Sequence, residues 1–429
     1  MLYPITRPLA RIALSVFFRR LYLSGLENVD WEKPVILAAN HPTAFLEPCI
    51  LACWLPKPLH FMVRGDLFLK PLSNWVLRDF NMIPMFRMSD AGVKGVKANF
   101  RSVQEAADVL HTHHPVLILA EGSTAHEKRL RPLQKGTARI ALGTESKDPS
   151  LGIQLIPVGV NYTYADRFRS EVMIHFGEPI MVGNYLYAYR ENAANTLRNL
   201  TEALRAALEK NVVIIHEEGD EVWAEEVLEI YRNNHADPFS PHTIYNAKRL
   251  ADEKRITCQV NNLREPEKSR WKSTVEYYIR ELKRYKASDR ALKKGASVPW
   301  ASFFVLLILA PVYLLALLLH GLPLGLARYI GYGKRVPRYE FKASVTVAAG
   351  LVLYIIWTLL LFLLGTLLWT WWVGLLLVVL GLGAAGWLGL FYRHHWKKWS
   401  TFRAYRRIPA DARKQLLEIR EEIGVYFQA

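Results

Sequence analysis

Cysteine is almost missing from this 429-residue chain: Cys49, Cys53 and Cys258 are the whole complement. Three thiols at such spacing build neither a disulfide framework nor a zinc-ligand set, so the expected surroundings are reducing and the expected metal content is none. Cys49 and Cys53, four residues apart, read as helix packing, not as a redox pair. The chain also lacks the Gly-x-Ser-x-Gly elbow of serine hydrolases around Ser123, which disfavours a lipid hydrolase. Acidic residues are in deficit, with Asp plus Glu 39 against Lys plus Arg 55, a formal net charge of +16. That imbalance suits an anionic partner. Nucleic acid would require aromatic residues among the basic ones on a soluble surface, and the aromatics here cluster in apolar stretches instead. Anionic membrane lipid is the expected surface, and no nucleic acid.

What is abundant is apolar residue, 51% of the chain. Residues 299–332, 345–364 and 367–391 are apolar enough to enter a bilayer of about 30 Å, which needs roughly 20 helical residues. Basic flanks surround them at Lys283–Lys294, Arg328–Lys342 and Arg393–Arg407, while the link Gly365-Thr366 is uncharged. If every basic flank faces the cytosol, 345–364 and 367–391 form a hairpin and 299–332 is re-entrant; three full spans are the alternative. Residues 1–24 form the expected N-terminal region. Within it, Pro8–Leu23 reads as an amphipathic interfacial helix with a basic face, or equally as a core-packing helix, and not as a signal peptide, because Arg7 and Arg11 interrupt the apolar pattern. Residues 25–215 are expected as a catalytic domain, 216–298 as a helical extension, 299–392 as the membrane segments and 393–429 as a basic cytosolic tail.

Chemistry concentrates where short apolar runs end. Val35–Ala39 reads as a buried strand that exits into Asn40-His41-Pro42-Thr43-Ala44-Phe45-Leu46-Glu47-Pro48. Were 41–47 one helix, six steps of about 100° would set His41 and Glu47 roughly 120° apart, so the two meet only through a bend, for which Pro42 and Pro48 give reason. A carboxylate on one imidazole nitrogen leaves the other as a general base. The alternative is a loop-capping His41 and a first-turn Glu47. Val116–Ala120 is a second such run and exits into Glu121-Gly122-Ser123-Thr124, so two strand ends make one crevice. Leu59–Val63 and Ile153–Tyr164 read as further strands, Tyr22–Leu26 as an edge strand, and Val93 to Leu110 as a helix crossing back to Val116. His111, His113 and His114 at that helix end read as dipole partners, since no acid or cysteine ligand stands nearby.

The order of Asn40-His41-Pro42 with a later acid, Ile83-Pro84-Met85-Phe86-Arg87, Glu121-Gly122-Ser123-Thr124 and Leu155-Ile156-Pro157-Val158 resembles the four motif blocks of the glycerolipid acyltransferases. The resemblance covers about residues 1–215 and looks most like the branch acting on glycerol-3-phosphate or dihydroxyacetone phosphate. It implies an α/β fold with a mixed sheet flanked by helices, followed here by a helical extension and C-terminal transmembrane helices. It also implies a membrane-bound acyltransferase of phospholipid synthesis, its catalytic domain on the cytoplasmic face. Such an enzyme moves a fatty acyl group from acyl coenzyme A or acyl carrier protein to a glycerol phosphate hydroxyl, with no further cofactor.

By that resemblance His41 and Glu47 are catalytic. Arg64, Arg87, Glu121, Gly122, Ser123, Arg129, Arg131 and Pro157 are substrate-binding candidates, with backbone donors near Gly122 stabilising the oxyanion. The chain departs from the pattern in Glu47, where Asp is usual, in Asn81, where glycine is expected, and in Thr124, where a basic residue is usual; Arg129, Arg131 and Lys135 are the local substitutes for the last. A lysophosphatidate acyltransferase and a non-catalytic lipid-binding scaffold are the competing expectations. Oligomeric state is left open.

Overall fold

The computed structural model describes residues 2–86, 88–235 and 238–428, the side chains of 88–99 and 428 excepted. It divides into two units: Met1–Val213 with Pro241–Leu250 and Arg338–Val347, and Ile214–Ser240 with Ala251–Pro337 and Ala348–Ala429.

The first unit is built on strands β1 (Phe18–Ser24), β2 (Val35–Ala39), β3 (His60–Arg64), β4 (Met82–Met85), β5 (Val116–Leu119), β6 (Gln154–Tyr162), β7 (Ser170–Phe176), β8 (Ile180–Met181) and β9 (His242–Ile244). They form one sheet in the order β4-β3-β5-β2-β6-β7-β1-β9, with β8 beside β6. Pairings are parallel except those of β6 with β7 and β8, so the sheet is mixed. Around it lie α1 (Tyr3–Phe17), α2 (Leu46–Trp54), α3 (Pro71–Asp79), α4 (Met88–His111), α5 (Gly136–Glu145), α6 (Leu186–Glu191) and α7 (Ala193–Glu209). An all-apolar strand such as Val35–Ala39 is what a parallel sheet covered on both faces demands, and all five of its residues are buried. It takes the middle of the sheet, between β5 and β6. Pro157, which has no N–H for a ladder, is tolerated in central β6 because it falls between the stretch paired with β8 and the stretch paired with β7.

The N-terminal helix begins and ends earlier than its apolar pattern suggests. It stops at Phe17, and Phe18–Ser24 becomes a strand inside the sheet, between β7 and β9, where an edge strand was expected from residue 22. The two arginines of the strand are compensated there: Arg19 and Arg20 reach Glu171 of β7 at 2.8 and 3.3 Å. The helix α1 packs Leu14, with Tyr3, Ala10 and Phe17, on the core. Ile5, Leu9, Ile12 and Val16, spaced along its other face, stay exposed.

The second unit is helical. Its compact part joins α8 (Glu221–Asn233), α9 (Lys248–Asn262), α10 (Glu267–Arg284), α11 (Asp289–Lys294) and α16 (Ala410–Gln428) around Trp223, Val227, Ile256, Val275 and Tyr278. The stretch expected as a tail thus ends in a helix whose Leu416, Ile423 and Phe427 are buried in that core. Between α11 and α16 run α12 (Trp300–Tyr332), α13 (Tyr339–Leu368), α14 (Trp371–Leu376) and α15 (Gly386–Arg406), the last two joined by the π-helical stretch Leu377–Ala385. Three continuous helical segments, Trp300–Tyr332, Tyr339–Leu368 and Trp371–Arg406, are long and apolar enough to cross a membrane. The first runs unbroken through Pro311 and Pro323. Its Ser302 meets His395 at 3.0 Å, its Tyr313 stacks on Tyr392 at 4.2 Å, and its His320 meets Tyr354 at 2.8 Å.

Candidate active site

Strand β2 delivers the histidine. Where it leaves the sheet, Asn40 clamps β6: its Nδ2 donates to the Val160 carbonyl at 2.9 Å and its Oδ1 accepts the Val160 N–H at 2.7 Å. Residues 41–45 then bend instead of coiling, and α2 begins at Leu46, with Phe45 at φ −157°. The bend turns His41 and Glu47 toward each other, Nδ1 to Oε2 being 3.7 Å. His41 is 9% exposed and Glu47 0%. Neither of those two facing atoms has a hydrogen-bond partner among the described residues. The other carboxylate oxygen, Oε1, accepts the Thr43 N–H at 2.6 Å, while Thr43 Oγ1 accepts the Leu46 N–H at 3.2 Å. Glu47 thus braces the loop before the helix with one oxygen and faces the imidazole with the other.

Strand β5 brings the second exit. Glu121, 6% exposed, accepts the His41 N–H on Oε1 at 2.8 Å. On Oε2 it accepts the Arg131 Nε and backbone N–H groups at 2.9 and 3.2 Å. Arg131 also donates through Nη1 to Ser123 Oγ at 2.9 Å and through Nη2 to the Ser123 carbonyl. A single buried carboxylate therefore ties the His41 loop to a guanidinium, and a charge-assisted network of this kind holds both in place. Gly122 takes φ +70°, which favours glycine, and its N–H donates to the Leu119 carbonyl at 3.1 Å. The Ser123 hydroxyl meets an arginine where a hydrolytic nucleophile would need a base.

Other sequence candidates are placed less centrally. Arg64 forks onto Asp66, two residues on, at 3.1 and 2.8 Å on an exposed surface. Arg129 pairs with Glu127 at 2.7 Å. Pro157 is buried in β6 and its carbonyl accepts the Asn211 side chain at 3.0 Å. Arg87 lies outside the described residues. Asn81, the departure from an expected glycine, sits at φ +57°, a conformation asparagine tolerates better than most residues. Burial pushes the Cys49 and Cys53 thiols up to about 12 and about 11, so neither is a reactive thiolate. Among the described residues no group of three His, Cys, Asp or Glu side chains is placed to hold a metal. His113 Nδ1 lies 2.6 Å from the Glu32 carbonyl and His114 Nδ1 3.0 Å from Thr112 Oγ1.

Two features escaped sequence reasoning. Tyr162 is buried beside Thr43 and Glu47, and burial with the Glu47 charge pushes its ionisation well above the ordinary phenol range, so it stays an O–H. The N-terminal turn of α13 is the other: the Glu340 carbonyl accepts the Ala44 N–H at 3.3 Å, and the Tyr339 ring lies 5.5 Å from that of His126. The Asn40 clamp carried a signal in its position at a strand end. A contact with residues nearly 300 positions later carried none.

Residues 5–161 match the family model described as Acyltransferase. The chain is 32% identical over 111 residues to glycerol-3-phosphate O-acyltransferase 2 of Saccharomyces cerevisiae, an overlap covering 26% of this chain and 15% of that protein. It is 22% identical over 148 residues to a chloroplastic 1-acyl-sn-glycerol-3-phosphate acyltransferase of Arabidopsis thaliana, covering 34% and 37%. Among solved structures it is similar to the 1-acyl-sn-glycerophosphate acyltransferase of Thermotoga maritima at 18% identity and a TM-score of 0.34, over 48% of this chain and 80% of that one. The chain thus spans well under half the length of the curated relatives it matches.

Proposed function

We propose, because residues 5–161 match the acyltransferase family model, that the protein transfers a fatty acyl group from a thioester to a hydroxyl of glycerol-3-phosphate or dihydroxyacetone phosphate. The observation that carries this reading is the buried His41–Glu47 pair at 3.7 Å, joined through Glu121 to Arg131. Glu47 orients Nδ1 and stabilises the imidazolium; Nε2 takes the proton of the acceptor hydroxyl as its oxygen attacks the thioester carbonyl. Collapse of the tetrahedral intermediate breaks the carbon–sulfur bond, and the imidazolium returns its proton to the departing thiolate. No acyl-enzyme is needed. Arg131, whose guanidinium is held by Glu121 and Ser123, supplies at the crevice the positive charge absent at Thr124. The three long apolar helices and the exposed stripe Ile5, Leu9, Ile12 and Val16 support attachment to a membrane, and the basic flanks support a cytoplasmic catalytic face.

Purified full chain, assayed with glycerol-3-phosphate and lysophosphatidate side by side over coenzyme A and carrier-protein donors, tests the reading. Transfer to glycerol-3-phosphate is expected. Transfer to lysophosphatidate alone would establish the second acceptor class, and binding of both without transfer would make the protein a scaffold. Arg131→Ala is expected to raise KM for the phosphorylated acceptor about tenfold or more while leaving that of the donor near its original value, with partial rescue by Lys.

A further inference from the structure

We propose that the N-terminal turn of α13, Tyr339–Lys342, is a positioning element of the acyl-transfer site, holding the His41 loop and the loop after Glu121 together. The inference rests on the acyl-transfer reading for its kinetic consequence, though not for its geometry. Loop 41–46 satisfies its backbone donors from scattered sources: the His41 N–H binds Glu121, the Thr43 N–H binds Glu47 and the Leu46 N–H binds Thr43 Oγ1. The Ala44 N–H, midway between His41 and Glu47, finds its acceptor in the carbonyl of Glu340 at 3.3 Å. Ala44 is half-buried and its N–H is paired with a carbonyl of α13, so the bend that sets the His–Glu distance is tied to where α13 begins.

One residue away, Tyr339 faces His126 of the second loop with ring centroids 5.5 Å apart. The same helical turn therefore touches both loops of the crevice. It is anchored there: Ala343 is 4% exposed within the apolar core shared by Leu46 and Ile50 of α2, Val347 packs against that core, and Ser344 is fully buried. Residues Arg338–Val347 accordingly belong to the first unit, although they lie far beyond the matched domain 5–161. The site is thus assembled from that domain plus a short segment from far later in the chain.

Two disruptive variants and one conservative control of the full chain in lipid nanodiscs test this. Tyr339→Ala removes the ring facing His126 and Tyr339→Phe keeps it; Ala343→Leu overpacks the core and pushes the turn away from Ala44. Expected are a fall in kcat of about tenfold for Tyr339→Ala and Ala343→Leu with the donor KM nearly unchanged, and rescue by Tyr339→Phe. Backbone hydrogen exchange at Ala44, which needs no activity, is expected to be protected in the parent and at least about tenfold faster in Ala343→Leu. An unprotected Ala44 amide in the parent overturns the contact whatever reaction the protein catalyses. Unchanged kcat in both variants, with exchange altered, overturns the positioning role while leaving acyl transfer intact.

Discussion

The two units bury charge in different ways. In the helical unit, Asp289 has both oxygens occupied: Oδ1 accepts from Tyr278 and from Arg420 Nε, each at 2.7 Å, and Oδ2 accepts from Asn233 at 2.9 Å. Glu253 is likewise held by the fork of Arg232 at 2.9 and 2.7 Å. In the sheet unit, Glu47 is as buried as Glu253, yet only one of its oxygens is bonded, and the other faces an imidazole nitrogen that is also without a hydrogen bond among the described residues. Low dielectric makes an unfinished pair costly and a finished one rigid. The finished networks specify structure. On the proposed mechanism, the unfinished one leaves room for a proton that arrives only in the reaction.

Breaking the unfinished pair gives the largest expected effect. His41→Ala should lower acyl transfer by roughly 10²- to 10⁴-fold, with melting of the chain little changed, because the side chain lost contributes to chemistry and not to a closed network. Glu47 separates its two duties: Gln can still accept the Thr43 N–H and start α2 but cannot stabilise imidazolium, while Asp keeps charge on a shorter arm. Severe loss in Gln and partial loss in Asp, measured as kcat on folded protein, would show the charge at work. Equal activity in Glu, Gln and Asp forms would reduce Glu47 to a helix cap.

How much of this was open to sequence reading follows from the range of each signal. The apolar runs Val35–Ala39 and Val116–Leu119 and the polar residues at their ends are local patterns, and they lead to the central strands and the crevice. Asn81 and the bend after His41 are local too. The fate of Phe18–Ser24 was not local: a stretch with helical spacing became an interior strand because β7 offered Glu171 and β9 a second ladder. The Arg131–Glu121–His41 link and the Glu340 contact join positions brought near only by the finished fold, so residue types suggested Arg131 as a candidate without its partners.

The complementary experiment breaks a finished network. Asp289→Ala leaves Arg420 and Tyr278 buried without their anion and should destabilise the helical unit by about 3–5 kcal/mol. Chemical unfolding monitored by helix content would register that loss as a lower midpoint. Should Asp289→Ala instead abolish turnover with no change in stability, the contrast between structural and chemical burial of charge would fail.

The smallest expected effect concerns a histidine of the sheet unit other than His41. His60 opens β3, its Nδ1 is buried without a hydrogen bond among the described residues, and the ring of His114 lies 5.6 Å away. Burial, with the neighbouring His114 second, pulls its titration down from 6.5 to about 4. The unfolded chain therefore binds a proton first as pH falls, so the stability associated with neutral His60 is complete above about pH 6.5 and drains away toward pH 4. Thermal melting of the full chain in detergent should fall across that window, and His60→Gln should flatten the fall by on the order of a few degrees. Identical slopes in the parent and His60→Gln would show that His60 does not couple acid to the stability of the sheet.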